Sequence, residues 1–267
     1  MSGILQDLSP ASLVTANEAN QFELYALFGR WQRAEVHDGA NLLWGITDVP
    51  FPMFNFILRA ELEPSQVNAT IDAAIARGKA QHVPLMWITS PSTRPTDLGA
   101  CLEAHGFTRG GTPTGMAIDL LTLDQNAPMP DGLTVERVEQ DHLALSEVCV
   151  HGFEMPEFVV EPMRQLFDCL SAEKCIRYYL GKLDSAPAAC SLLYLGAGVA
   201  GIYNVATLPH ARGRGIGAAI TLAALRDARD LGYRVGILQA SKMGLPVYRR
   251  LGFQENFKYV QYIWKKM

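Results

Sequence analysis

The sequence predicts an α/β fold of the mixed-sheet α+β kind, in two consecutive domains, 1–130 and 131–267. Three observations predict it. An apolar run, Gly201–Ala206, meets a Gly-rich loop that opens an Ala/Leu-rich segment, Ala219–Leu231, which is the pattern of strand, loop and helix. A stretch of turn formers, Asp124–Gly132, with Asn126, Pro128, Pro130 and Asp131-Gly132, separates two patterned halves. A Gly-Phe pair also recurs 146 positions apart, as Gly106-Phe107 and Gly252-Phe253, each closing a short helical segment before a last apolar strand.

In the first half, Pro84–Thr89 reads as a strand, Asp97–His105 as a helix and Met116–Leu123 as the closing strand. In the second half, Leu133–Arg137 reads as a strand, followed by helices over Glu139–Val150 and Pro156–Ser171. Three strands come next, at Ile176–Leu183, Ala188–Leu195 and Val199–Leu208. No charged residue lies between Asp184 and Arg212, yet Pro187, Gly198, Gly201 and the turn Gly196-Ala197-Gly198 fit two buried strands in a hairpin better than a membrane span. After the loop comes a helix whose Ile220, Ala224, Ala228 and Leu231 form one apolar stripe at helical spacing. A strand at Val235–Ala240, a short helix around Tyr248 and a final strand at Tyr259–Trp264 complete the order.

Composition narrows the class. Of 267 residues, 49% are apolar and 19% charged, as in ordinary globular proteins, and a net charge of −4 argues against general nucleic-acid binding. Five cysteines, Cys101, Cys149, Cys169, Cys175 and Cys190, form no Cys-x-x-Cys pair, which suits reduced thiols and neither a zinc site nor a disulfide framework. Met1–Pro10 lacks the apolar segment of a signal peptide, so a cytoplasmic protein without membrane attachment is expected.

The chemistry is concentrated in Thr207-Leu208-Pro209-His210-Ala211-Arg212-Gly213-Arg214-Gly215-Ile216-Gly217-Ala218. A loop opening a helix aims several backbone N–H groups at one point, where the positive end of the helix dipole also lies, so the loop suits a phosphate or pyrophosphate. Alternating glycines admit a close ligand, and Arg212 and Arg214 add positive charge. Gly213 to Ala218 formally fits the dinucleotide fingerprint, but the next strand carries Gln239 where that motif needs a carboxylate. No Gly-Lys-Ser/Thr ending is present for a metal-bound triphosphate, and a single Arg-Gly repeat in an acidic chain argues against RNA.

The loop resembles motif A of the GNAT superfamily of N-acetyltransferases, Arg/Gln-x-x-Gly-x-Gly/Ala, with Arg212, Gly215 and Gly217 at its three marked positions. A second signature, Tyr-x-x-x-Gly-Phe, follows in order as Tyr248-Arg249-Arg250-Leu251-Gly252-Phe253. The resemblance runs from Gly132 to the C-terminus and implies a complete C-terminal GNAT domain. The first half resembles a degenerate GNAT repeat: Leu62-Glu63-Pro64-Ser65-Gln66-Val67 stands opposite the phosphate loop and Leu102 opposite Tyr248. It therefore carries neither cradle nor phenol.

The resemblance implies that residues 212–218 cradle the pyrophosphate of acetyl-CoA, and that the backbone of Thr207 and Leu208, on a strand splayed from its neighbour, binds the pantetheine arm and thioester oxygen. Ser241 stands where the family often has Asn, and a hydroxyl replaces only one of that amide's hydrogen bonds. Tyr248 is the expected general acid, since a phenol of reference pKa about 10 is protonated at neutral pH and can hand a proton to a nascent thiolate. Glu154, Glu157, Glu161, His151 and a water on Asn204 stand as alternatives for the base. With no cysteine in either motif, direct attack of a bound amine is expected, the alternative being an acyl-CoA-binding sensor without turnover. The acceptor is open between a small-molecule and a protein amine, and the assembly between monomer and homodimer.

Overall fold

The long apolar runs of the second half become strands buried on both faces. The computed structural model describes residues 3–124 and 129–265. In chain order its elements are α1 (Pro10–Ala26), β1 (Ala34–Asp38), β2 (Leu43–Thr47), β3 (Phe56–Leu58), α2 (Val67–Gln81), β4 (Leu85–Thr89), α3 (Leu98–Ala104), β5 (Thr108–Arg109) and β6 (Thr114–Asp119). There follow β7 (Leu133–Val138), α4 (Leu143–Gly152), α5 (Val160–Leu170), β8 (Ile176–Leu183), β9 (Ala186–Gly196), β10 (Val199–Thr207), α6 (Ile216–Asp230), β11 (Val235–Ala240), α7 (Leu245–Arg250), β12 (Gln254–Lys258) and β13 (Val260–Trp264). Of the expected linker, residues 125–128 lie outside the described residues.

Two compact units form, each around its own mixed sheet. One joins the residues up to Gln21 to Gly115–Asn256, and the other joins Phe22–Thr114 to the chain from Phe257 onward. The seven-stranded sheet runs β12-β6-β11-β10-β9-β8-β7, with β10 and β11 parallel and β7 to β10 antiparallel. The six-stranded sheet runs β1-β2-β3-β4-β13-β5, with β3 and β4 parallel. The compact units are therefore not the segments 1–130 and 131–267. The closing strand of each half lies inside the other half's sheet: β6 between β12 and β11, and β13 between β4 and β5.

The sheet beside the Gly-rich loop shows why its strands read as unbroken apolar runs. Val199 on β10, with Val235 and Ile237 on β11, packs in a cluster with Ala16 of α1. Ala200 and Ile202, with Leu238 and Ala240, join the opposite cluster with Ile220, Ala224 and Ala228 of α6. Alternate residues thus serve two covered faces. The β9–β10 hairpin turns through Ala197 (φ 49°) and Gly198 (φ 75°), a two-residue loop with both centres left-handed, as the strand twist favours. Among the described residues no helix is long and apolar enough to cross a membrane.

α1 is secured by amides as well as by the apolar cluster around Ala16. Asn20, fully buried, donates through Nδ2 to the carbonyl of Gly196 at 2.8 Å and accepts from the Tyr203 hydroxyl at 2.7 Å. Gln239 donates to Asn17 Oδ1 at 2.8 Å. Buried amides must be paired in this way, and the pairing fixes where α1 lies on β10 and β11.

Several sequence expectations shift. Leu231, placed in the buried stripe, follows the last turn of α6 and is 44% exposed, while Ile220, Ala224 and Ala228 are buried. α4 begins at Leu143 and not Glu139, after Asp141 with φ 52°. The closing strand of the first half spans Thr114–Asp119, and Leu120–Thr122 leaves it as a 3-10 turn. β12 is a strand that sequence reading missed, because its residues are mostly polar and exposed.

Candidate active site

The site is made by a bulge in β10 and by the start of α6. β10 and β11 pair only over Ala200–Ile202 against Gly236–Leu238. Between Tyr203 and Ala206 the β9–β10 register slips by one residue, and Asn204 adopts φ 50°. Such a bulge bends its strand and increases the local twist, and here it carries the end of β10 away from β11. The Cys190 thiol donates to the Asn204 carbonyl that the bulge leaves out of the ladder, at 3.3 Å. The signal in the sequence was one Asn, a residue tolerant of left-handed backbone, inside an apolar strand.

Below the bulge opens a cleft of about 280 Å³. Of the residues expected to bind cofactor, Thr207, Arg212, Gly213, Gly215, Ile216, Gly217, Ala218 and Ser241 line it, and so does Tyr248. Gly213 (φ 77°) and Gly215 (φ 80°) turn the chain into α6 through left-handed conformations that a side chain resists. The N–H groups of residues 213–218 have no acceptor among the described residues, as expected for a helix start that receives a ligand.

Two expected contacts are not brought to the cleft. Leu208 donates its N–H to Ala188 at 2.9 Å and accepts from Ala211 N–H at 2.9 Å, so both its backbone groups are used by the fold. The neighbour Thr207 supplies the cleft wall instead. Arg214 is exposed and does not line the cleft.

Arg212 lines the cleft but its guanidinium is turned into the protein. It donates from Nε to the Thr207 carbonyl at 3.2 Å, from Nη2 to the Gly152 carbonyl at 2.8 Å and from Nη1 to Glu154 at 2.9 Å. The side chain therefore fastens the loop to β10 and to the end of α4, while the backbone beyond it is left for a ligand. Ser241 likewise has a local duty: its Oγ accepts from Gly244 N–H at 3.1 Å, fixing the turn into α7.

Tyr248 is 9% exposed and packs edge-on to Phe253 with ring centres 5.8 Å apart. Burial pushes its phenol up to about 12, so it is a neutral O–H throughout the physiological range. Each carboxylate considered as base has a partner. Glu154 pairs with Arg212, Glu157 with His151 at 2.8 Å, and Glu161 with Arg164 at 2.7 Å. Sequence reading missed the apolar part of the wall, where Phe153, Val205, Met243 and Val247 lie. These residues belong to no motif, and only their adjacency to the two motifs pointed to them.

The comparisons with known proteins agree with this geometry. Residues 142–253 match the model of the acetyltransferase (GNAT) family. A GCN5-related N-acetyltransferase from Kribbella flavida is 19% identical, with a TM-score of 0.69, over 92% of this chain and 94% of that one. A tandem GNAT protein from the clavulanic acid biosynthesis pathway is 15% identical, with a TM-score of 0.62, over 98% and 96%. A GCN5-related N-acetyltransferase from Sphaerobacter thermophilus is 17% identical, with a TM-score of 0.61, over 96% and 93%. Among curated proteins none matches the chain in sequence. Residues 142–253 thus match a GNAT-family domain, and the chain as a whole shares its fold with these solved structures.

Proposed function

We propose that the protein is an acetyl-CoA-dependent N-acetyltransferase that moves the acetyl group directly from the thioester to a bound amine. The observation that carries this reading is one cleft holding both the N–H cradle of residues 213–218 and the buried neutral phenol of Tyr248. The cradle suits a pyrophosphate, whose charge meets the unpaired N–H groups and the positive helix end. The gap between β10 and β11 then receives the pantetheine arm beside Thr207, Val205 and Ala206.

In this reading the neutral amine nitrogen bonds to the thioester carbon, the carbon–sulfur bond breaks, the proton that the amine loses passes to water, and Tyr248 serves the departing sulfur. Full transfer from a phenol near 12 to a thiolate of reference pKa about 8.5 is uphill by roughly 3–4 units. Tyr248 therefore begins as a hydrogen-bond donor to sulfur and completes the transfer only as the cleft, largely apolar, raises the thiol's own basicity. No cysteine lines the cleft, in keeping with direct attack. No residue is assigned as base: Glu154 and Glu161 are paired with arginines, and Glu157 is hydrogen-bonded to His151. That pairing favours the second reading, an acyl-CoA-binding sensor without turnover. The five free thiols suit a cytoplasmic setting.

Calorimetric titration with acetyl-CoA, beside a thiol-release assay over a panel of amines, tests both readings. Binding with amine-dependent release of CoA supports the enzyme. Tight binding with no release from any amine supports the sensor, and no binding overturns both.

A further inference from the structure

A second cavity, of about 400 Å³, lies in the compact unit around the six-stranded sheet and shares no residue with the candidate active site. Its size falls within the range of small-molecule sites, about 300–1,000 Å³. The end of β4, the turn over residues 90–97, the start of α3 and two β13 residues, Val260 and Tyr262, enclose it. It is not the counterpart of the candidate active site. That cleft opens where the parallel pair β10 and β11 parts, whereas this cavity lies on the β13 side of β4 and takes no residue from β3, the parallel partner of β4.

Tyr262 is the buried polar group of this cavity. It is 7% exposed, and its hydroxyl lies against α3, where a Cβ on Gly99 would stand 2.2 Å from the phenol oxygen. Glycine at 99 is what leaves the phenol its place. Yet the hydroxyl has no hydrogen-bond partner among the described residues, and a buried phenol ordinarily finds one. At the exposed side of the same cavity, the Thr96 hydroxyl and the Asp97 carboxylate are also without partners among the described residues.

The wall that carries these groups is fixed by its own bonds. Arg94 donates from Nη1 to the carbonyls of Pro91 at 2.9 Å and Thr93 at 2.7 Å, and Thr93 Oγ1 accepts from Ser90 N–H at 2.9 Å. The backbone of Arg94 is tied on both sides, its N–H to the Ala60 carbonyl at 2.8 Å and its carbonyl to Leu62 N–H at 2.9 Å. Arg94 and Asp97 together leave the cavity without net charge.

We propose that this cavity binds a neutral polyol. Two of its unpaired groups, the Tyr262 and Thr96 hydroxyls, carry a hydrogen to donate, and the third, the Asp97 carboxylate, only accepts. A ligand hydroxyl serves both kinds, since it donates and accepts at one atom. A phosphate or carboxylate ligand would meet Asp97 as a like charge, and an ammonium would share the cavity with the Arg94 guanidinium. Pro91 and Val260 offer apolar surface to the C–H edges of such a ligand.

Polyols stabilise proteins in general by exclusion from their surface, so the test reads saturable binding and not a rise in Tm. Calorimetry and saturation-transfer NMR on the full chain compare glucose, mannose, myo-inositol and sorbitol with inorganic phosphate and ethylamine. Saturable binding of at least one of the four polyols is expected, about tenfold tighter than either ion; sorbitol against the three rings separates an open chain from a cyclic polyol. Tyr262→Phe should weaken it about threefold to tenfold, and Asp97→Ala by about tenfold or more, the larger loss being that of a charged acceptor. Both variants should unfold at the wild-type temperature, because the groups removed make no bond within the fold. No saturable binding of any of the four overturns the proposal. So does binding of phosphate or ethylamine as tight as that of the polyol, or wild-type affinity in both variants.

Discussion

Arg212 reaches Glu154 at 2.9 Å across the rim of the cleft, so the residue that marks the phosphate loop works as a clasp between that loop and the end of α4. Its other donors hold two backbone carbonyls, of Thr207 and Gly152. The guanidinium reaches the three acceptors from three separate nitrogens, whereas an ammonium presents all its donors from one atom.

Arg212→Lys should therefore loosen the loop while keeping its charge. Acetyl-CoA affinity is expected to fall about tenfold, and stability by roughly 1–3 kcal/mol for the lost charge-assisted bonds. Calorimetric titration and urea unfolding measure the two. Affinity unchanged in Arg212→Lys would show that charge alone is what this position supplies.

The glycines of the cradle should separate strain from occlusion. Gly215 sits at φ 80°, and Gly215→Ala is expected to lose about 1–2 kcal/mol of stability as well as cofactor binding. Gly217 lies inside α6, and a Cβ there would meet Thr207 Oγ1 at an ordinary 3.5 Å. Gly217→Ala should leave stability unchanged or raise it by up to about 1 kcal/mol, because alanine favours helix. If Gly217→Ala still weakens acetyl-CoA binding, the added methyl has entered the space that the ligand needs.

Tyr248→Phe should lower kcat by roughly 100-fold with little change in acetyl-CoA affinity. It should also change the alkaline stability. The folded protein holds this phenol near 12 against an unfolded value near 10, so the stabilising effect is present below pH 10 and is lost as pH rises through 10 toward 12. The loss for this one group is about 2–3 kcal/mol. Denaturant unfolding across that window should show a shallower decline in Tyr248→Phe, and parallel declines would place the phenol in solvent.

Gly201→Ala tests the amide seat of α1. Its methyl would stand 2.1 Å from Asn20 Oδ1 and 2.5 Å from the Tyr203 ring, where no atom can be accommodated without breaking their hydrogen bond. Destabilisation of about 2–4 kcal/mol is expected by thermal or urea unfolding. A neutral result would mean that α1 is held by its apolar contacts alone.

Much of this was legible because it is local. Ile176–Leu183 and Val235–Ala240 are strands over the bounds read from periodicity, and the loop and the Tyr248 helix lie where their motifs put them. The 146-residue spacing also holds: it carries α3 onto α7, the start of β5 onto that of β12, and Thr114 of β6 onto Val260 of β13. What was not legible depends on partners distant in the chain. Apolar patterning marks β6 and β13 as strands but does not say which sheet receives them. The Leu208 backbone was expected at the cofactor because the bonds it makes to Ala188 and Ala211 cannot be seen in composition. Tyr203 and Asn20 are 183 residues apart, and nothing local announces their pairing.

The exchange of β6 and β13 has a mechanical consequence. A protease cut anywhere between Asp124 and Gly132 would sever the chain and still leave each fragment holding an interior strand of the other fragment's sheet. The two pieces would be expected to migrate together until denatured. A shortened gene encoding only residues 131–267 would give a sheet without the interior strand that joins β12 to β11, and its product should be rescued by supplying the missing fragment in the same cell.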